Sequence, residues 1–346
     1  MNAMMKNAFI VAIALASATL VRPVFAEFGV DCHDPKHVKL KIAAKKTYED
    51  MLAHDKAGRT KAAFDAAKNL VPDCASNNKQ EIGRMEAAKL AVLRKTSLKL
   101  GEQAESKGLF TEAYKYFSEY YHGIAADRVQ MKIATAKPGD FETVRTGVNY
   151  FRNTQKYLSR STAEAMDADR DARVNAIPGH LDKLRAIATK NGEKFLADED
   201  KIFNARKTSV AAKGNTLAEL NKARDWLGLF GQENRANDRA VKRGDTLLAD
   251  DSRKSLELAI SYYSFPIDDF REKRAQKVKD KARRLGDAHL KKGEKQIAAD
   301  YYNLAGLGDK ASKLEESHEA EKEKAETKRQ GQFKKDQKSL EEELGL

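Results

Sequence analysis

Tryptophan occurs once, cysteine twice and proline six times in 346 residues. Two cysteines are too few for a disulfide framework or a thiolate cluster, and no Cys-x-x-Cys-His haem attachment is present. So little proline leaves room for long helices. Stretches that alternate valine, isoleucine or threonine with polar residues between turn signals are missing, which argues against sheets. After the N-terminal segment no apolar run reaches the ~20 residues that cross a bilayer. The chemistry-bearing motifs are missing too. There is no Gly-x-Ser-x-Gly elbow, no His-Glu-x-x-His, no Gly-x4-Gly-Lys-Ser/Thr phosphate loop and no dinucleotide fingerprint. Cys32, His33 and His37 lack an established ligand spacing. No enzyme, cofactor or metal is expected.

What is present is charge and helical periodicity. Charged residues make up 34% of the chain and the formal net charge is +12. Apolar residues recur at helical spacing, so the expected fold is all-α. Pro35, Pro72, Pro138 and Pro178 fall where helices are expected to begin or end, and Pro266 should end or kink the helix begun near Ser252. Asp140, after Pro138-Gly139, is the expected N-cap of a helix carrying Val144, Val148 and Phe151. Trp226 and Leu227 belong to the most apolar stretch and are expected in a core. Asp250-Asp251 and Asp268-Asp269 are expected to cap helices rather than to act as paired catalytic carboxylates.

The N-terminus reads as a targeting segment. Lys6 precedes an apolar run from Ala8 to Val21, and Val24-Phe25-Ala26 places small residues at a cleavage site. Residues 1–26 are therefore an expected signal peptide, with a mature chain from Glu27, periplasmic or secreted and without a transmembrane span. In an oxidising compartment Cys32 and Cys74 are expected to pair.

Two stretches define a helical hairpin. In Arg284 to Gly308, Leu285, Gly286 and His289 share one helix face, Gly293 marks a turn, and Ala298, Tyr302 and Ala305 share the face of a second helix. In Leu100 to Tyr120, Gly101, Ala104, Gly108, Ala113 and Phe117 fall at matching places. The spacing resembles the tetratricopeptide repeat, a helix-turn-helix unit of about 34 residues. Two good copies lie near 97–125 and 282–310. Gly244 and Asp245 with Ala259 and Tyr263 suggest a third with a longer turn, and Gly58 with Ala63 and Ala67 a fainter fourth. Ser97 and Ala282 replace the family's early tryptophan. Ala125 and Lys310 replace its closing proline, so the second helices are expected to run on. His289 stands where the repeat has a tyrosine and should be packed. The resemblance implies helical hairpins stacked as an irregular solenoid. The expected organisation is N-terminal hairpins over 27–130, a helical connector over 131–200, C-terminal repeats over 201–309 and a charged helical or disordered tail over 310–346.

The resemblance also implies a non-enzymatic scaffold or adaptor whose first-helix residues, opposite the packed face, hold a protein partner of the cell envelope. These are Lys95, Leu98, Glu102 and Glu105 in one copy, and Arg283, Asp287, Leu290 and Lys291 in the other. The alternative rests on charge. Fifteen basic and seven acidic residues lie between Lys36 and Leu100, and Lys41, Lys45 and Lys46 could attract an anionic envelope component. Nucleic acid is not expected, because the basic segment lacks interleaved aromatics.

Overall fold

The computed structural model describes residues 38–120, 122–160, 170–208 and 215–344. The expected signal peptide, Pro35 and Cys32 lie outside the described residues. Among those described there are fourteen helices and no strand. They are α1 (Val38–Lys56), α2 (Thr60–Asn69), the single turn α3 (Pro72–Ala75), α4 (Lys79–Ser106), α5 (Phe110–Glu119), α6 (Gly123–Ala136), α7 (Phe141–Arg160), α8 (Arg170–Thr208), α9 (Thr216–Gly228), α10 (Asn234–Leu248), α11 (Arg253–Tyr263), α12 (Arg271–Lys291), α13 (Lys295–Leu304) and α14 (Gly308–Leu344). Sequence neighbours pack as pairs, most extensively α1 with α2, α4 with α5, α10 with α11 and α12 with α13. This is the architecture of a helical solenoid.

The chain divides into two compact units, one ending at Leu184 and one starting at Arg185. In the first, Met51, Phe64, Ala67 and Leu70 form a core with Val92, Leu93 and Leu100 of α4. Phe117 joins Ala104, Ala126 and Val129 in the adjoining layer. In the second, Leu196 and Phe203 pack on Leu220, Leu227, Ala240 and Tyr262. Tyr263, Val278 and Ala282 continue that core, and Ala298, Tyr302 and Ala311 close it.

The hairpin turns are built alike. After α4, the Gly108 N–H bonds to Glu105 O at 3.0 Å and the Leu109 N–H to Ala104 O at 2.9 Å. This is the Schellman pattern, which needs a left-handed residue at the helix end, and Gly108 has φ 75°. Gly58 and Gly293 repeat the conformation and both hydrogen bonds after α1 and α12. Elsewhere the ends are fixed by side chains. Asp140 accepts from the Glu142 N–H and the Thr143 hydroxyl, and Val144, Val148 and Phe151 are fully buried, as the sequence implies. Asp250 accepts from both Ser252 and Ser255 at the start of α11.

Two expectations are corrected. Pro178 lies inside α8, a helix of 39 residues, and breaks nothing. Ile177, Leu184 and Ala188 beside it are buried at helical spacing, and that packing outweighs the ~3 kcal/mol an internal proline costs. The second helices do not run on. α5 stops at Glu119 and α13 at Leu304, the latter because Gly306 turns the chain at φ 76° while the Leu307 N–H bonds back to Tyr302 O at 2.8 Å. Of the two states expected for the tail, helical or disordered, the described residues take the first, as one helix to Leu344. Ala311 in its first turn is buried against Ala298 and Tyr302, and Lys295 donates to Ser317 at 2.9 Å, whereas residues 319–337 are all exposed.

Candidate functional site

The first-helix faces are positioned by a contact that recurs in three hairpins. A Cβ on Gly101 would lie 2.3 Å from Phe117 Cε1, on Gly244 2.5 Å from Tyr263 Cε1, and on Gly286 2.9 Å from Tyr302 Cε1. Each ring therefore occupies the volume that a side chain on the facing helix would need. Four residues before each glycine stands Ser97, Ala240 or Ala282, and four before each ring Ala113, Ala259 or Ala298, all fully buried. The small residues bring the helices close and the ring fills the gap beside them. In the α1–α2 hairpin the sizes are exchanged. Met51 and Ala67 hold the places of glycine and ring relative to the Gly58 turn, and both are fully buried. Volume is conserved although the residues are not.

The residue after each glycine is acidic. The Tyr263 hydroxyl donates to Asp245 and the Tyr302 hydroxyl to Asp287, each at 2.6 Å. Phe117 has no hydroxyl, and Glu102 in that place is exposed.

Ion pairs, and in one case a lysine–carbonyl hydrogen bond, tie first helices to the next one along the chain. In the first unit Lys95 of α4 meets Asp55 of α1 at 2.9 Å. Glu105 of α4 is held by Arg128 at 2.6 Å and Lys132 at 2.8 Å, both on α6. The Arg128 hydrogen bond carries the Glu105 carboxyl down to about 2, with partial burial opposing and Lys132 adding to it. Asp127 of α6 is buried, and the Arg173 guanidinium of α8 grips it through Nε at 2.8 Å and a terminal nitrogen at 3.1 Å. The Tyr150 hydroxyl completes the carboxylate at 2.8 Å. Burial, then the Asp127 charge, pushes the Tyr150 phenol above its ordinary range. Gly123 makes the room: a Cβ there would lie 2.5 Å from an Arg173 nitrogen.

The second unit repeats the device. Glu199 of α8 is fully buried and accepts from Arg243 of α10 at 3.1 and 3.2 Å and from the Tyr262 hydroxyl at 3.2 Å. Arg243 also pairs with Asp200 and lies 4.0 Å above the Phe203 ring. Lys281 of α12 donates to Leu248 O at 2.6 Å, and Lys310 of α14 pairs with Asp287 at 3.1 Å. These carboxylates are met by cations and hydroxyls, and so fix the register between helices. A Ser–His pair is also present: His122 Nε2 lies 3.0 Å from Ser97 Oγ. The same nitrogen lies 2.8 Å from Arg94 O, which requires a proton on it and leaves no base for the serine.

Of the expected partner-binding residues, four carry internal contacts. Lys95 pairs with Asp55 and Glu105 with Arg128 and Lys132. Asp287 is held by Tyr302 and Lys310, which lower its pKa in that order. Leu290 packs on the cluster of Ala298, Tyr302 and Ala311. Leu98 is 38% exposed, and Glu102, Arg283 and Lys291 are also exposed. Of the alternative lysines, Lys41 donates to Asn77 at 3.1 Å while Lys45 and Lys46 point into solvent. Cys74 is buried on α3, and Cys32 lies outside the described residues. Trp226 and Leu227 are buried. His289 is half-buried and stacked on Tyr301 with ring centroids 5.4 Å apart. Among the described residues no three His, Cys, Asp or Glu side chains converge as a metal ion would need, and no helix is long and apolar enough to cross a membrane.

Sequence reasoning missed Asp127, Arg173, Glu199 and Arg243. One signal was available. In Ala125-Ala126-Asp127-Arg128-Val129 a charge interrupts the face that alanine and valine bury, and a charge there needs a partner. Compared with known protein families, with curated proteins and with solved structures, the chain matches none.

Proposed function

We propose that the hairpins are tetratricopeptide-type repeats and that the chain is an exported, non-enzymatic scaffold that binds another envelope or secreted protein. The observation that carries the reading is the glycine–ring contact repeated in three hairpins. It commits one face of each first helix to packing, and part of the opposite stripe is exposed. On α4 that stripe presents Leu98 beside Glu102, and on α12 Arg283 and Lys291. Charged and aliphatic groups on one rigid face suit a peptide segment held through its side chains. Export rests on the apolar run and the Val-Phe-Ala site at residues 24–26, and with it the Cys32–Cys74 pairing. A photo-crosslinking residue in place of Leu98, in the full chain expressed in its own envelope, tests the reading. One dominant crosslinked protein supports it, and no product above the level seen from Lys68 on α2 refutes it.

The second reading is a polyanion-binding envelope protein. It is favoured by Lys45 and Lys46, which are exposed and have no ion-pair partner among the described residues. Binding of that kind would fall steeply with salt, since exposed charges are screened over about 8–10 Å.

A further inference from the structure

The link between α11 and α12 exposes two large apolar side chains close together. Ile267 is 87% exposed and Phe270 63%, three residues apart in Phe265-Pro266-Ile267-Asp268-Asp269-Phe270. The loop is pinned at both ends. Phe265 is buried under the Arg224 guanidinium, 4.7 Å from its ring centroid, and its carbonyl accepts from Arg224 at 3.4 Å. Asp268 accepts from the Phe270 N–H at 3.0 Å and from Arg274 at 2.6 Å. Two apolar groups are thus held outward by a braced turn instead of folding onto the core.

Phe270 also opens a stripe of cations. It is the N-cap of α12, and Lys273, Lys277, Arg284 and Lys291 follow at i+3, i+7, i+14 and i+21, which is one helix face. All four are exposed and have no hydrogen-bond or ion-pair partner among the described residues. From Ile267 to Lys292 there are ten basic and five acidic residues. Of the acids, Asp268 and Asp287 are already neutralised by Arg274 and Lys310. Asp269 and Glu272 lie at the tip beside Arg271, and Asp280 accepts from Gln276, so the positive excess lies along the helix behind the apolar tip.

We infer that this corner is a docking site for an anionic bilayer surface, with Ile267 and Phe270 entering the headgroup boundary and the α12 cations facing lipid phosphates. A pair of apolar side chains gives only weak, reversible insertion, and a lysine–arginine stripe beside it supplies the second signal that stable attachment needs. Charge complementarity decides for a membrane over a protein pocket: the cations spread along one face of a 21-residue helix behind the tip, as a flat anionic surface requires. Of the loop and stripe residues only Lys291 is also among those proposed to hold a protein partner, and the variants below leave it in place, so the two sites succeed or fail separately.

Cosedimentation of the full chain with vesicles tests this. The parent should bind phosphatidylcholine vesicles containing phosphatidylglycerol and should not bind phosphatidylcholine alone. Ile267→Ser with Phe270→Ser, and separately Lys273→Gln with Lys277→Gln and Arg284→Gln, should each lower the partition coefficient on the order of tenfold or more. Lys79→Gln with Lys107→Gln and Lys137→Gln, exposed lysines of the first unit assigned to no site, should leave it unchanged. A Phe270→Trp variant, read against the buried Trp226, should show a blue-shifted emission on anionic vesicles, which keeps the test open if a multiple variant folds poorly. Equal binding to both vesicle types, binding indifferent to the loop and stripe variants, or no emission shift would overturn the assignment.

Discussion

The Phe117 ring occupies the place of a side chain at residue 101: a Cβ on Gly101 would lie 2.3 Å from its Cε1. Alanine favours a helix over glycine by up to ~1 kcal/mol, while overfilling a packed core costs about 1–3 kcal/mol. Gly101→Ala should therefore be net destabilising, and Gly286→Ala, where the ring lies at 2.9 Å, should be so to a smaller extent. Gly83, with nothing within 4 Å of its Cβ direction, should gain by up to ~1 kcal/mol on becoming alanine. Denaturant unfolding of the three variants gives the order directly.

The rings themselves should matter more. Phe117→Ala and Tyr302→Ala each remove a fully buried ring and should cost about 3–5 kcal/mol. In a stacked array the loss is shared with neighbouring hairpins first. Hydrogen exchange should rise in α4 to α6 for the first variant and in α12 to α14 for the second. Parent-like melting of both would place these rings at the surface.

Removing one partner of a buried ion pair leaves the other charge uncompensated. Glu199→Ala should destabilise by about 3–5 kcal/mol, because Glu199 is fully buried against Arg243 and Tyr262. Arg235→Ala should cost far less, since Arg235 and its partner Glu193 are both largely solvent-exposed. Chemical denaturation of the two variants checks the contrast.

Acid should act through Glu105. Its folded carboxyl titrates at about 2 against an ordinary 4.5. A depressed carboxylate contributes stability that is fully present above its unfolded value and is lost as pH falls through its folded value. Melting temperature should fall between pH 4.5 and about 2 in the parent, and less steeply in Glu105→Gln. An unchanged slope would mean that the Arg128 pairing does not persist in solution.

Intact mass tests the processing and the cysteines. Protein recovered from the envelope should begin at Glu27 and take up no alkylating reagent until reduced. Two freely alkylated thiols would rule out the Cys32–Cys74 bridge.

The hairpins were legible in the sequence because their determinants are local. Gly108, Ala113 and Phe117 lie within ten residues, and the Schellman turn, small contact and ring follow from their spacing. The α1–α2 hairpin was fainter because Met51 and Ala67 exchange sizes, which keeps the volume and loses the pattern. Asp127 with Arg173 and Glu199 with Arg243 stand more than forty positions apart, and no periodicity announces such pairs. Pro178 misled because its local cost is visible in the sequence while the burial of Ile177 and Leu184 is not. For the proposed partner face, the stripe was legible, but not that Glu105, Asp287 and Leu290 are taken up by α6, α13 and α14.

Capture from cell-envelope extract on three immobilised full-length baits tests the scaffold reading most directly. The baits are the parent, Leu98→Glu with Arg283→Glu, and Lys41→Glu with Lys45→Glu and Lys46→Glu. The account predicts a protein retained by the parent and by the lysine variant and lost from the Leu98–Arg283 variant. A partner that survives the Leu98–Arg283 change and disappears with the lysine change would contradict it.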